Sequence, residues 1–185
     1  MADINPEASD KPARTTQARI QSPGPGPDPR LVTLVELLFF AYRDFTSDPD
    51  AALAKFGFGR AHHRVLHFVC RNPGIRVADR LDILKITKQS LARVLKQLVD
   101  QGYIEQRSGV ADRRERRLHA TRLGTALARE LIGLQTGRIA AALAEAGPDA
   151  QASAEGFLYG MIAPEERGKV LDLLRGAVSD RDMMT

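Results

Sequence analysis

The chain has 185 residues, of which 43% are hydrophobic, 5% aromatic and none tryptophan, and it carries a formal net charge of +4. That suits one globular domain with a core of Leu, Val, Ile and Ala, a composition that favours helices over strands. A single cysteine, Cys70, excludes an intramolecular disulfide framework, and no apolar run reaches the ~20 residues that span a membrane, so the expectation is a cytoplasmic protein with no membrane partner.

Residues 1–29 are polar and end in a Pro/Gly-rich run, Ser22 to Pro29, which reads as a disordered tail. A first helix is predicted from Arg30 to Phe45, with a stripe of Leu31, Leu34, Val35, Leu38, Phe39, Tyr42 and Phe45. The stripe is wide enough that a partner subunit is one way to cover it and a core the other. Thr46-Ser47-Asp48-Pro49-Asp50 is expected to stop this helix. A second helix is predicted over Arg60–Arg71 and a short third over Val77–Leu84, separated by the turn signal Asn72-Pro73-Gly74. Thr87 is a good N-cap for a fourth helix, which Gly102 is placed to end. The period then changes. Residues 103–107 read as a strand, 108–112 as a turn, and 117–120 as a returning strand. Thr121 caps a long fifth helix to about Ala146, a short helical piece follows over 152–161, and a last helix opens at Pro164.

Helix, short helix, tight turn, longer helix and basic hairpin, in that order, describe a winged helix-turn-helix. The fold class expected is mainly α with a small β-wing. The predicted divisions are a tail over 1–29, a first helix and linker over 30–58, a DNA-binding region over 59–122, C-terminal helices over 123–179 and a tail over 180–185. From Lys85 to Arg122 there are ten Lys/Arg and four Asp/Glu, a balance of +6, so the rest of the chain sums to −2. Such a cluster is the footprint of a polyanion site, although an ordinary solvated face would carry the same charge.

The two faces of the fourth helix sharpen this. Leu91, Leu95 and Leu98 fall on one side; Gln89, Arg93 and Lys96 fall on the other, flanked by Lys88, Ser90 and Gln97. An α-helix fits the major groove, where Arg bonds guanine bidentately and Gln bonds adenine. Gln89 and Arg93 are therefore the candidate base readers, with Ser90 a third. Lys88 and Lys96 suit phosphates, and Thr87 at the helix N-terminus can add a backbone contact. Asp112-Arg113-Arg114-Glu115-Arg116-Arg117 then sets four arginines in six residues at the hairpin. Arginine at a projecting tip suits a narrow minor groove, so Arg113, Arg114 and Arg116 join the DNA-contact set, with Arg107 on the outgoing strand. Asp112 is assigned a salt bridge that orients an arginine.

Residues 75–127 resemble the DNA-binding core of MarR-family regulators. The matching residues are Thr87 to Gly102 (TKQSLARVLKQLVDQG), the Asp112-Arg113-Arg114 wing, and Thr121 with Gly124 in DRRERRLHATRLG. Pro164 to Leu174 is similar to the family's last helix, and there is a weaker resemblance to the PetP-like branch. The resemblance implies a homodimer built from the first and the last two helices, a palindromic double-stranded DNA operator, and relief by a small-molecule effector or an oxidant. It implies reading roles for Gln89, Ser90 and Arg93 and wing roles for Asp112, Arg113 and Arg114. Two positions depart from the family: Ala120 stands where Leu is usual, and residues 147–160 interrupt a simpler helix connection.

His63, His67 and Cys70 fall at i, i+4 and i+7 on the second helix, a spacing that could face a metal or haem. Packing near a helix interface is the plainer reading, and no cofactor is expected. Phe39, Tyr42 and His62 are candidates to line a pocket for an aromatic ligand, by analogy with the family. No nucleophile motif or phosphate-cradling loop occurs, so no enzyme is expected. The competing functions are a protein-binding winged helix that has lost DNA binding, and a small-molecule or metal carrier centred on the second helix.

Overall fold

The computed structural model describes residues 26–76, 86–109 and 115–179. The short helix expected over 77–84, the tip residues Asp112, Arg113 and Arg114, and most of both expected tails lie outside them.

The described elements run α1 (Pro29–Ala54), α2 (Arg60–Arg71), β1 (Ile75–Arg76), α3 (Lys88–Asp100), β2 (Ile104–Ser108), β3 (Arg116–Ala120), α4 (Arg122–Ala146), α5 (Ala150–Met161), a 3-10 turn (Pro164–Glu166) and α6 (Arg167–Ser179). The described residues up to Leu37 form one unit and those from Leu38 onward another. In the first, Asp28 opens α1 by accepting the Arg30 N–H at 2.9 Å, with Pro29 in the first helical position. Leu31, Val32, Leu34, Val35 and Leu37 are all exposed.

The stop expected at Phe45 does not occur: α1 continues through Pro49 to Ala54. Thr46 donates to the Tyr42 carbonyl at 2.9 Å and Ser47 to that of Asp44 at 2.8 Å, so both polar side chains are absorbed by the helix itself. Thr46, Pro49, Ala52 and Leu53 are buried on one side. An interior proline costs about 3 kcal/mol, and burying several side chains at roughly 1.5–3 kcal/mol each offsets it.

In the second unit, the core joins Val65, Leu66 and Val69 of α2 to Leu91, Val94, Leu95 and Leu98 of α3, and to Leu127 and Leu131 of α4. Three strands close it in the order β1-β3-β2, all antiparallel. Ile104 pairs with Ala120, and Leu118 lies opposite both Gln106 and Ile75. Ile75, Ile104 and Leu118 are buried, so one face of the sheet packs on the helices. The smaller side chain at Ala120 leaves the register intact. The sequence reading expected two strands; the third, β1, is two residues long.

Thr121 ties the sheet to α4. Its hydroxyl accepts from the Gly124 N–H at 3.1 Å and donates to the Gly102 carbonyl at 2.7 Å. Thr121→Ala removes both bonds and should cost about 1–2 kcal/mol, read as a lower midpoint in urea with an unchanged slope. An unshifted midpoint would show that the cap contributes nothing.

The interrupted stretch after α4 folds into a full helix. Gly147 ends α4 at φ +98°, and α5 follows with no buried residue, exposing Phe157, Leu158, Tyr159 and Met161.

Candidate nucleic-acid interface

The Thr87 side chain caps α3 by accepting the Ser90 N–H at 3.2 Å. Gly102, at φ +76°, closes it, and the Gly102 and Tyr103 N–H groups return to the Val99 and Leu98 carbonyls at 2.9 and 2.8 Å. Both ends are therefore fixed by the residues the sequence singled out. Leu91, Val94, Leu95 and Leu98 hold the inner face. Lys88, Gln89, Arg93 and Lys96 are exposed on the outer one, and Ser90 and Gln97 are half-buried at its margins. The hydrogen-bonding side chains thus stand clear of the core that holds the rod. Lys96 forms a surface ion pair with Asp100, one turn on.

The hairpin follows α3 directly. Arg107 on β2 lies opposite Arg117 on β3, and Arg117 lies opposite Arg76 on β1, so three guanidinium groups form one row across the sheet. Like charges placed opposite one another repel. Glu115 answers part of this from the base of the wing, its carboxylate 2.7 Å from Arg117 Nε and 3.1 Å from Arg76 Nε. Both contacts are ion pairs, since neither Glu115 Oε1 nor Arg117 Nε makes a hydrogen bond. Glu105 pairs with Arg107. Arg116 turns to the other side, toward the Ser108 hydroxyl at 3.4 Å. A hollow of about 680 Å³ separates α3 from the hairpin, with Lys96, Gln106 and Arg116 on its walls. Sequence reasoning did not single out Arg76 or Arg117, or Glu115 as their common partner. Only the two-residue strand β1 brings Arg76 alongside.

The candidates for sensing separate into different places. Tyr42, His63 and His67 line one hollow of about 540 Å³ together with Phe45, Phe68 and Arg64. Phe39 is exposed on α1. Cys70 packs against the core. His62 is not in the wall of that hollow: its ring stacks on Phe58 and reaches Gln97 of α3 at 2.7 Å. Among the described residues no group of three or more His, Cys, Asp or Glu is placed to hold a metal ion.

Burial shapes the chemistry of these groups. It pushes the Cys70 thiol up to about 11, so the protonated form prevails at neutral pH. Burial first, then the neighbouring Arg71 and His63, pulls the His67 imidazole down to about 4. His63 is lowered by burial as well, with Asp50 opposing. A base whose pKa falls on folding binds fewer protons in the native chain than in the unfolded one, so stability is lost as pH drops from about 6.5 toward 4. With allowance for the solvent that still reaches His67, going from pH 7 to 5 should cost on the order of 1 kcal/mol, or about 2–4 °C. His67→Leu should remove that part of the pH dependence in thermal melts; equal pH slopes in both proteins would contradict it.

Comparison with known proteins agrees with this fold. The model of the MarR family matches residues 56–115. The chain is 47% identical over 140 residues to the HTH-type transcriptional regulator PetP of Rhodobacter capsulatus, covering 76% of this chain and 84% of that protein. The chain belongs to the MarR family. This MarR protein is accordingly a transcriptional regulator. Its fold matches a MarR-family regulator from Listeria monocytogenes solved with a 26mer DNA, with TM-score 0.58, 19% identity, and 82% and 96% of the two chains covered. It also matches a MarR variant from E. coli solved with operator DNA, with TM-score 0.56, 19% identity, and 72% and 96% covered. Among the described residues, no helix of this MarR protein is long and apolar enough to cross a membrane.

Proposed function

We propose that this chain acts as a homodimer that binds a palindromic DNA operator and loosens its hold when a small molecule occupies the hollow beside α2. The observation that carries the DNA reading is the exposed outer face of α3. There Gln89 and Arg93 stand one turn apart on a helix capped at one end and stopped at the other. These two are assigned to base edges, with Ser90 beside them; Thr87, Lys88, Lys96 and Gln97 are assigned to phosphates. The wing set is Arg107, Arg113, Arg114 and Arg116, with Asp112 orienting an arginine. The proposed role is binding without chemistry, in the cytoplasm.

The homodimer rests on apolar side chains left uncovered. Leu34, Leu37, Phe39 and Phe40 of α1, and Phe157, Leu158 and Met161 of α5, are each 47% exposed or more. A monomer rarely leaves whole helix faces of this kind in water. The effector rests on the hollow of about 540 Å³, which combines Tyr42 and Phe68 with two imidazoles, the cation Arg64, and Asp50 already paired with Arg60. That lining suits a small aromatic anion.

The test is binding of the purified chain to a duplex recovered from a random pool, in competition with scrambled duplex, over a range of salt. Selective binding as two chains per inverted repeat, falling steeply with salt, is expected. Equal affinity for both duplexes would overturn the operator reading, and one chain per site would overturn the dimer.

A further inference from the structure

The His62–Gln97 bond joins two residues 35 positions apart, one on the first turn of α2 and one on the outer edge of α3. Its direction can be read from the other side of the ring. The Gly59 N–H lies 3.1 Å from His62 Nδ1. A backbone N–H only donates, so Nδ1 is the bare acceptor nitrogen and Nε2 carries the proton. Gln97 Oε1, 2.7 Å away, is the acceptor for that proton. The ring cannot swing out easily, because it lies flat on Phe58 with centroids 4.7 Å apart and planes 13° from parallel. Phe58 is itself buried and set edge-on to Tyr103.

The consequence falls on Gln97. An amide whose oxygen is committed to a donor has its NH2 group committed to the opposite side. Gln97 lies one turn beyond Arg93, which lies one turn beyond Gln89, so the three share a stripe on α3. Among the described residues the Gln97 amide nitrogen has no hydrogen-bond partner. We infer that His62 is a positioning residue for DNA binding: it fixes the Gln97 side chain so that its two amide hydrogens face a phosphate oxygen rather than its carbonyl, which a phosphate would repel. This rests on the proposed role of α3 as the DNA-reading helix. It also gives His62 a task apart from the small-molecule hollow.

Two substitutions separate this role from simple capping of α2. In His62→Asn the side-chain oxygen replaces Nδ1 and keeps the Gly59 contact but loses the donor to Gln97. In His62→Gln the amide nitrogen replaces Nε2 and keeps the donor but loses the Gly59 contact. Binding is read on full-length protein with the duplex recovered from the random pool, alongside thermal melts. His62→Asn and Gln97→Ala should each weaken binding by roughly tenfold, His62→Gln should stay near the parent, and adding His62→Asn to Gln97→Ala should do nothing further. The reverse ranking, with His62→Asn unaffected and His62→Gln weak, would mean that the ring only caps α2. Additive losses would also overturn the inference. If Gln97→Ala binds normally while Arg93→Ala loses discrimination, this inference fails and the DNA reading stands; if Arg93→Ala also discriminates normally, the DNA reading itself falls. Should the His62 variants not fold, nitrogen-detected NMR of the parent decides the first step: Nε2–H supports the inference and Nδ1–H overturns it.

Discussion

Gly124→Ala should cost about 3 kcal/mol, a large share of the roughly 5–15 kcal/mol by which a folded domain is stable. A β-carbon at this position would sit 2.0 Å from the Tyr103 carbonyl oxygen and 3.0 Å from its carbon. Both are backbone atoms, so no rotamer change relieves the clash, and Leu66 of the core closes the third side at 3.3 Å. The Tyr103 carbonyl cannot retreat freely, because it already accepts the Thr121 N–H at 3.1 Å. The first turn of α4 must therefore lift off the strand that leads into the wing. Urea unfolding of Gly124→Ala beside Gly133→Ala checks this. Nothing lies within 4 Å of the β-carbon position at Gly133, within the same helix, so that substitution should be neutral or stabilising. A small loss at Gly124 would mean that α4 does not approach the sheet as closely as described.

Arg93→Ala should relax the preference for the operator over scrambled DNA while leaving the fold intact. Arg93 is exposed at the centre of the outer face of α3, and its neighbours on the inner face, Val94 and Leu95, are what the core needs. A bidentate arginine–guanine pair carries about 1–3 kcal/mol of discrimination, or roughly 5- to 150-fold. Lys96→Ala offers the contrast: a phosphate contact should weaken operator and scrambled duplex alike and reduce the salt slope. The two variants together separate reading from holding. Loss of discrimination at Lys96 with none at Arg93 would reassign the two roles.

Much of this interface was legible in the sequence because its determinants are local. The Thr87 cap, the leucines at helical spacing and the stop at Gly102 lie within sixteen residues of one another and act on the same helix. The change from a helical to an alternating period after Gly102 marked the hairpin for the same reason. What escaped was tertiary. α1 continues past Thr46–Asp50 because Thr46, Pro49 and Leu53 find a core to enter, and no local signal records that core. β1 is too short to show a period, yet it carries Arg76 to the side of Arg117. The run of four arginines around Glu115 read as charge, whereas Glu115 binds two arginines on different strands. His62 looked like a pocket residue beside His63, but successive residues on a helix point about 100° apart, and one faces the hollow while the other faces α3.

The central claim is that the outer face of α3 reads base sequence. Selection of bound duplexes from a random pool, run in parallel with the parent chain and with Arg93→Ala, tests it most directly. The parent should enrich an inverted repeat with half-sites about one helical turn apart, and the variant should lose preference at the same base pair in each half. Enrichment of an identical motif by both proteins, or of none by the parent, would contradict it.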